Sequence, residues 1–217
     1  MWACHLSVVE WSTDVRSTSH ACTVSSLFLL SLPVHARSDL PMQGIMKDGD
    51  IVCERGYGWK DRLKRTSMPP DGLMRIASVT KPVTAAAIHK LVAAGKFGLT
   101  DKVFSLGLAG GGLLDHTPFP SLGDQRLKDV TVQHCLDHKG GWDRSTSVGD
   151  ITYKETTIAT AMKVANPPGL SNTMRWILGQ PLQLTPGSKY AYSNVGFVVL
   201  GLIVDKYAGK DYMAFVH

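Results

Sequence analysis

The chain has 217 residues, 44% of them hydrophobic and 19% charged, with a formal net charge of +5. That composition suits a globular protein with one sizeable core and does not demand a second domain. No run of about 18 apolar residues exists, which excludes a transmembrane helix. The basic residues are scattered apart from Lys60, Arg62, Lys64 and Arg65. With Asp61 among them, that cluster reads as a solvated loop and argues against a nucleic-acid partner.

Residues 1–40 differ from the rest and read as a leader, with 41–217 as the folded part. The leader carries Cys4 and Cys22, much Ser and Thr, and no clear periodicity. Within it, the stretch from Val24 to Ala36 resembles the apolar region of an export signal ending in Val-His-Ala. The acidic Glu10 and Asp14 before it, with Arg16 as the one basic residue, fit a signal poorly. The chain is then either exported or cytoplasmic. Cys4, Cys22, Cys53 and Cys135 lack C-x-x-C spacing, and no His pair stands at metal-ligand spacing. Buried free thiols are expected, with no metal and no cofactor. No H-E-x-x-H, P-loop or G-x-S-x-G segment occurs, so the sequence offers no metalloprotease, nucleotide-binding or α/β-hydrolase signature.

In chain order, Asp48-Gly49 between apolar flanks predicts a β-hairpin over residues 45–53. Its first strand, from Leu40 to Met46, is weakened by Pro41 and Gly44. Residues 60–71 read as a polar loop. A helix follows over residues 79–94, with Pro82 tolerated in the first turn, Ala85, Ile88, Leu91 and Val92 as its buried stripe, and Gly95 as its stop. Residues 99–130 read as irregular, with Gly110 to Gly112 and Pro118 to Pro120 in loops. Thr131 caps a short helix over 132–137. Two more helices are predicted at 156–164 and 172–178, broken by Asn166-Pro167-Pro168-Gly169. Pro186-Gly187 makes a turn. A strongly apolar helix spans 194–207, and Asp211 opens a last one.

The chemistry-bearing stretch is Arg75-Ile76-Ala77-Ser78-Val79-Thr80-Lys81, where the 79–94 helix begins. Ser78 and Lys81 at i and i+3 share one face, so the amine can reach the hydroxyl. A serine hydroxyl is a weak nucleophile until a neighbouring base takes its proton, and a lysine with a lowered pKa can be that base. The helix start adds N–H groups and a positive dipole end that favour an oxyanion. With 17 serines and 14 lysines, roughly one Ser-x-x-Lys arises by chance. Ser78 as an ordinary helix-start residue and Lys81 as a solvated side chain are the plain alternative. Of all the serines, only Ser78 has a lysine at +3.

Arg75 to Lys81 closely resembles the nucleophile motif of the serine beta-lactamase-related proteins: class C beta-lactamases, penicillin-binding proteins, DD-peptidases and family VIII-type carboxylesterases. Tyr190-Ala191-Tyr192-Ser193-Asn194 looks like their Tyr-x-Asn block, and His138-Lys139-Gly140-Gly141-Trp142 like the turn between the two. All three come in the family's order, and the resemblance runs from about Met46 to His217.

The resemblance implies an α+β, beta-lactamase/DD-peptidase-like fold, with an antiparallel sheet, helices and a helical lobe. It also implies a serine hydrolase that forms an acyl-enzyme on Ser78. Lys81 would take the Ser78 proton or hold Tyr192 as an anion. Tyr192 would shuttle the proton to the leaving group, and Asn194 would position Lys81 and the substrate. His138 would support the site structurally. Asn194 is also expected to cap its helix. The substrate would be a beta-lactam, a short-chain ester or a D-amino-acid peptide. Trp142 and the long loops lean toward an esterase or peptidase.

One feature departs from the family. Its third motif, Lys-Thr-Gly or His-x-Gly, normally follows on a later strand, and the 23 residues after Asn194 carry none. The sequence therefore reads as the N-terminal part of a longer protein or a truncated product, with an incomplete sheet. An inactive homologue acting as a binding module is the alternative. In either case the 79–94 helix is expected to lay Ile88, Leu91 and Val92 toward a sheet and to leave part of that face uncovered. Self-association through an open sheet edge is also expected.

Overall fold

A computed structural model describes residues 42–217 except 62, 74 and 147–149. The expected leader, with its signal-like stretch, Cys4 and Cys22, lies outside the described residues. The chain divides into two compact units between Arg75 and Ile76.

In the first unit, strand β1 (Met42–Lys47) pairs antiparallel with β2 (Asp50–Gly56). Asp48 and Gly49 both have positive φ, 52° and 93°. This is the primed turn whose twist matches the strands it joins, and Gly49 can adopt it without strain. The register slips between Ile45 and Met46, because Ile45 faces Cys53 while Met46 faces Ile51. Val52 is thus the extra residue of a bulge. Cys53 is disulfide-bonded, which corrects the expectation of free thiols at that position. Cys135 is free and fully buried, and burial pushes its thiol up to about 12. The polar loop that follows is organised on Asp61, whose carboxylate accepts the N–H groups of Arg65 and Thr66 at 3.3 and 2.8 Å.

The second unit holds the helices and the site. A 3₁₀ turn (Ala77–Val79) leads directly into helix α1 (Thr80–Ala93). Gly95 ends α1 with φ 67°. Its N–H donates to the Val92 carbonyl and that of Lys96 to the Leu91 carbonyl. These two bonds are a Schellman stop, which the αL glycine permits. The buried stripe of α1 is Thr84, Ala87, Ile88 and Leu91. It keeps Ile88 and Leu91 of the expected Ala85, Ile88, Leu91, Val92 set, with Thr84 and Ala87 beside them, whereas Ala85 and Val92 are only half-buried.

That stripe meets helices. Within this unit α1 packs on α5 (Asn194–Tyr207) and α6 (Tyr212–Val216). Helix α5 is apolar nearly all round, as a central helix must be. It buries Val195, Gly196, Val199, Leu200, Ile203 and Val204. A Cβ on Gly196 would stand 3.3 Å from the Cys135 carbonyl oxygen, so glycine lets α5 approach helix α2 (Val132–Leu136) closely. The Thr84 hydroxyl, buried under α6, donates to the Thr80 carbonyl and shares a 2.7 Å bond with Tyr212. Asp205 accepts the Tyr212 N–H at 2.6 Å.

The region over 99–130 is irregular, as expected, and also contributes to the core. Val103, Phe104 and Leu114 are buried, and short bridges pair Lys102 with Thr131 and Phe104 with Leu114. Thr131 caps α2 reciprocally with His134. A 3₁₀ turn (Gln125–Asp129) is capped by Asp124. The helical lobe is α3 (Glu155–Met162) against α4 (Gly169–Leu178), close to the predicted spans. Trp142 is only 4% exposed and sits edge-on to Phe104. It is a core residue, so it carries no argument about substrate.

Candidate active site

The site assembles on two arms of the second unit. The first is the start of α1. Ala77 holds a left-handed φ of 45°, which L-residues other than Asn and Asp seldom adopt. The tight turn that follows nearly eclipses residues three apart. Ser78 and Lys81 therefore face the same way, and Lys81 Nζ donates to Ser78 Oγ at 3.1 Å. Ser78 itself is exposed, whereas Lys81 is half-buried.

The second arm is the extended segment that ends in α5. The 138–142 turn clamps it. His138 has φ 55° and Gly141 φ 99°, and a Cβ on Gly141 would stand 2.6 Å from the Leu184 carbonyl oxygen. The Gly141 carbonyl accepts from Gln183 and Leu184, that of Lys139 from Gly187, and that of His138 from Ala191. His138 Nδ1 then accepts the Ser193 N–H at 3.1 Å, and the imidazole stacks on the Tyr192 ring with centroids 4.6 Å apart. Burial and the Lys81 ammonium hold this imidazole below its usual range. It is therefore neutral, with the Nδ1 lone pair free to accept. Tyr192 is bracketed by hydrogen bonds at both of its neighbours and by a ring on its face.

The arms meet at Ser78. Ser78 Oγ lies 2.6 Å from Tyr192 Oη, and Lys81 Nζ donates to Asn194 Oδ1 at 2.7 Å. Lys81 Nζ also stands 4.8 Å from the Tyr192 ring centroid. All four residues singled out in the sequence, Ser78, Lys81, Tyr192 and Asn194, are thus in one hydrogen-bonded cluster. Asn194 does not cap α5. Ser193 occupies that position, and Asn194 is the first helical residue. Its carboxamide is committed to Lys81 on one side and to Asp150 Oδ2, at 2.7 Å, on the other.

Electrostatics favour a proton acceptor at Tyr192. Burial alone would push the phenol up. Hydrogen bonds from Lys81 and Ser78, with the charges of Lys81 and Arg144, outweigh it and bring Tyr192 below the ordinary tyrosine range. The Arg144 guanidinium lies 4.6 Å from the Tyr192 ring centroid. Arg144, Asp150 and Tyr153 at this site were not singled out from sequence. Asp150-Ile151-Thr152 reads only as a cap, and nothing local to Arg144 points to a tyrosine 48 residues away. Among the described residues no group of three or more His, Cys, Asp or Glu could hold a metal ion. No helix among them is long and apolar enough to cross a membrane.

A Ser–Lys–Tyr–Asn cluster at the start of a buried helix, on an α+β fold with a helical lobe, defines a serine beta-lactamase-related protein. The comparisons agree. A family model described as Beta-lactamase matches residues 43–217, and the chain belongs to that family. Esterase EstB of Burkholderia gladioli is 31% identical over 173 residues, covering 79% of this chain and 42% of that protein. Protein flp of Staphylococcus aureus (strain COL) is 27% identical over 173 residues, 79% of this chain and 30% of its own length. The octameric penicillin-binding protein homologue from Pyrococcus abyssi superimposes with a TM-score of 0.61 at 25% identity, over 91% of this chain and 41% of that one. The chain therefore spans less than half the length of each of these relatives. The fold is the beta-lactamase/DD-peptidase-like one, with two strands of sheet among the described residues.

Proposed function

We propose that the protein is a serine hydrolase that cleaves esters or amides through an acyl-enzyme on Ser78. The observation that carries this reading is the unbroken hydrogen-bond chain from Asn194 through Lys81 and Ser78 to Tyr192. Lys81 as an ammonium can only donate. Its bonds to Ser78 and Asn194 leave Tyr192 as the best acceptor for the Ser78 proton. In the first half-reaction the Tyr192 phenolate takes that proton, and Oγ attacks the substrate carbonyl carbon. The tetrahedral intermediate collapses, and the phenol proton passes to the leaving alkoxide or amine. In the second, Tyr192 deprotonates a water that attacks the acyl carbon, and as the intermediate collapses Tyr192 returns that proton to the departing Ser78 Oγ, 2.6 Å away. Lys81 holds the phenolate throughout, and Asn194 holds Lys81.

Esters are the first substrate class to test, because the esterase from Burkholderia gladioli is the relative of higher identity reported above. Beta-lactams and D-amino-acid peptides share the same half-reactions. A panel of p-nitrophenyl esters set against nitrocefin decides between them. Turnover of either, lost in Ser78→Ala, supports the hydrolase. The absence of any turnover by the 217-residue chain favours the binding-module reading. Self-association through the edge of the two-stranded sheet is a separate proposal. Light scattering across a concentration series tests it, and a concentration-independent monomer overturns it.

A further inference from the structure

A carboxamide is two-faced. Its oxygen and its NH2 group have nearly the same shape, and they differ in that one accepts and the other donates. Lys81, which only donates, gains a bond from the Asn194 side chain when Oδ1 faces it. With Nδ2 there instead, two sets of donors would confront each other. Something must therefore fix which way the amide points.

We infer that Asp150 is a positioning residue for this site, whose carboxylate holds the Asn194 amide with its oxygen toward Lys81. An ionised carboxylate only accepts, so it selects Nδ2, and the bond is charge-assisted. Asp150 Oδ2 takes Asn194 Nδ2 at 2.7 Å. The carboxylate is itself immobilised, because Oδ1 accepts the Thr152 N–H at 3.1 Å and the Thr152 hydroxyl at 2.6 Å. Ile151, buried beside it, anchors the turn (Ile151–Tyr153) that Asp150 caps. Tyr153 Oη, 3.5 Å from the same Nδ2, adds a second acceptor on that side. Turning the amide over would set its oxygen against a carboxylate and its NH2 against an ammonium. Asp150 acts on the nucleophile through Asn194 and Lys81. The inference about rate rests on Ser78 being the nucleophile; the inference about geometry does not.

Two substitutions separate this role from a cap and from a bare charge. Asparagine caps as well as aspartate, whereas alanine does not. In Asp150→Asn the new carboxamide would spend its one oxygen on Thr152 and present NH2 to Asn194, turning that amide over. Alanine would leave the amide free. Both substitutions remove the same charge. Unfolding in urea should therefore rank Asp150→Asn with the wild type and above Asp150→Ala. The rate of ester cleavage should rank the other way, with Asp150→Ala between the wild type and Asp150→Asn. The loss in Asp150→Asn should be roughly 10- to 100-fold, the scale of a misplaced catalytic group.

The side-chain amide of Asn194, labelled with nitrogen-15 and followed by NMR, reads the same orientation without turnover. Its oxygen faces Lys81 and its NH2 faces Asp150. In Asp150→Asn the NH2 protons should show a cross-peak to the Lys81 ε-methylene that is absent from the wild type. A missing cross-peak in Asp150→Asn overturns the inference, as does a wild-type rate in that variant. A wild-type chain that cleaves no ester refutes the hydrolase and leaves the amide cross-peak to judge Asp150.

Discussion

The two arms that meet at Ser78 are built in different ways. The near arm, Ser78 and Lys81, is local. A turn and the first residues of one helix set it, and the pair is three residues apart in sequence. The far arm, Tyr192 and Asn194, is held from a distance by His138 with its glycine turn and by Asp150. The near arm should therefore tolerate anything that leaves α1 seated. The far arm should depend on several clamps, each removable on its own.

The largest effects are expected at the groups that handle the proton. Lys81→Met and Tyr192→Phe should each lower the rate of Ser78 acylation by about 10²- to 10⁴-fold. Because Tyr192 must be ionised, wild-type reactivity should fall as pH drops through its pKa, which lies below the ordinary tyrosine value. That acid limb should vanish in Tyr192→Phe. A limb that survives would move the base away from the far arm.

The seat of the near arm comes next. Ile88 is fully buried under α5 and α6. Ile88→Ala should cost about 2–5 kcal/mol of unfolding free energy, read from the urea midpoint, with the surviving folded fraction still reactive. His138→Ala should be milder for stability, about 1–3 kcal/mol for the unpaired Ser193 N–H. It should be selective for the far arm, so that acylation slows while the Lys81–Ser78 geometry persists.

The smallest effect is an acid one. Asp124 is held down to about 2, chiefly by its hydrogen bonds to Arg126. The pair also grips Leu182, on the segment that leads to the Gly141 clamp. A depressed carboxylate contributes stability that is present above its unfolded pKa near 3.8 and lost as pH falls toward 2. Unfolding midpoints should decline over that window, and Asp124→Asn should flatten the decline.

The same contrast explains what could be read from the sequence. The hairpin, α1, α2 and α5 were legible because their signals are local: Asp48-Gly49, Pro82 and Gly95, Thr131, and an uninterrupted apolar run after Asn194. Ser78 and Lys81 were legible for the same reason, and Tyr192 and Asn194 followed from a resemblance. Ile88 and Leu91 were legible as the buried face of α1, whereas Thr84 and Ala87 were missed, because the edge of a buried face depends on which helices pack there. Trp142 leaned the reading toward an esterase or peptidase, and only the fold shows that it is buried edge-on to Phe104. Asp150, which the sequence did not single out, caps a turn with one oxygen. Its other oxygen is spent on Asn194, 44 residues away, and no local pattern encodes that.

If these arms make Ser78 a nucleophile, a fluorophosphonate probe should label the 217-residue chain covalently, with the modified peptide identified by mass spectrometry. Label should appear on Ser78, be absent in Ser78→Ala, and form more slowly in Lys81→Met. Label that persists in Ser78→Ala, or a folded wild-type chain that takes up no probe, would contradict that role for Ser78.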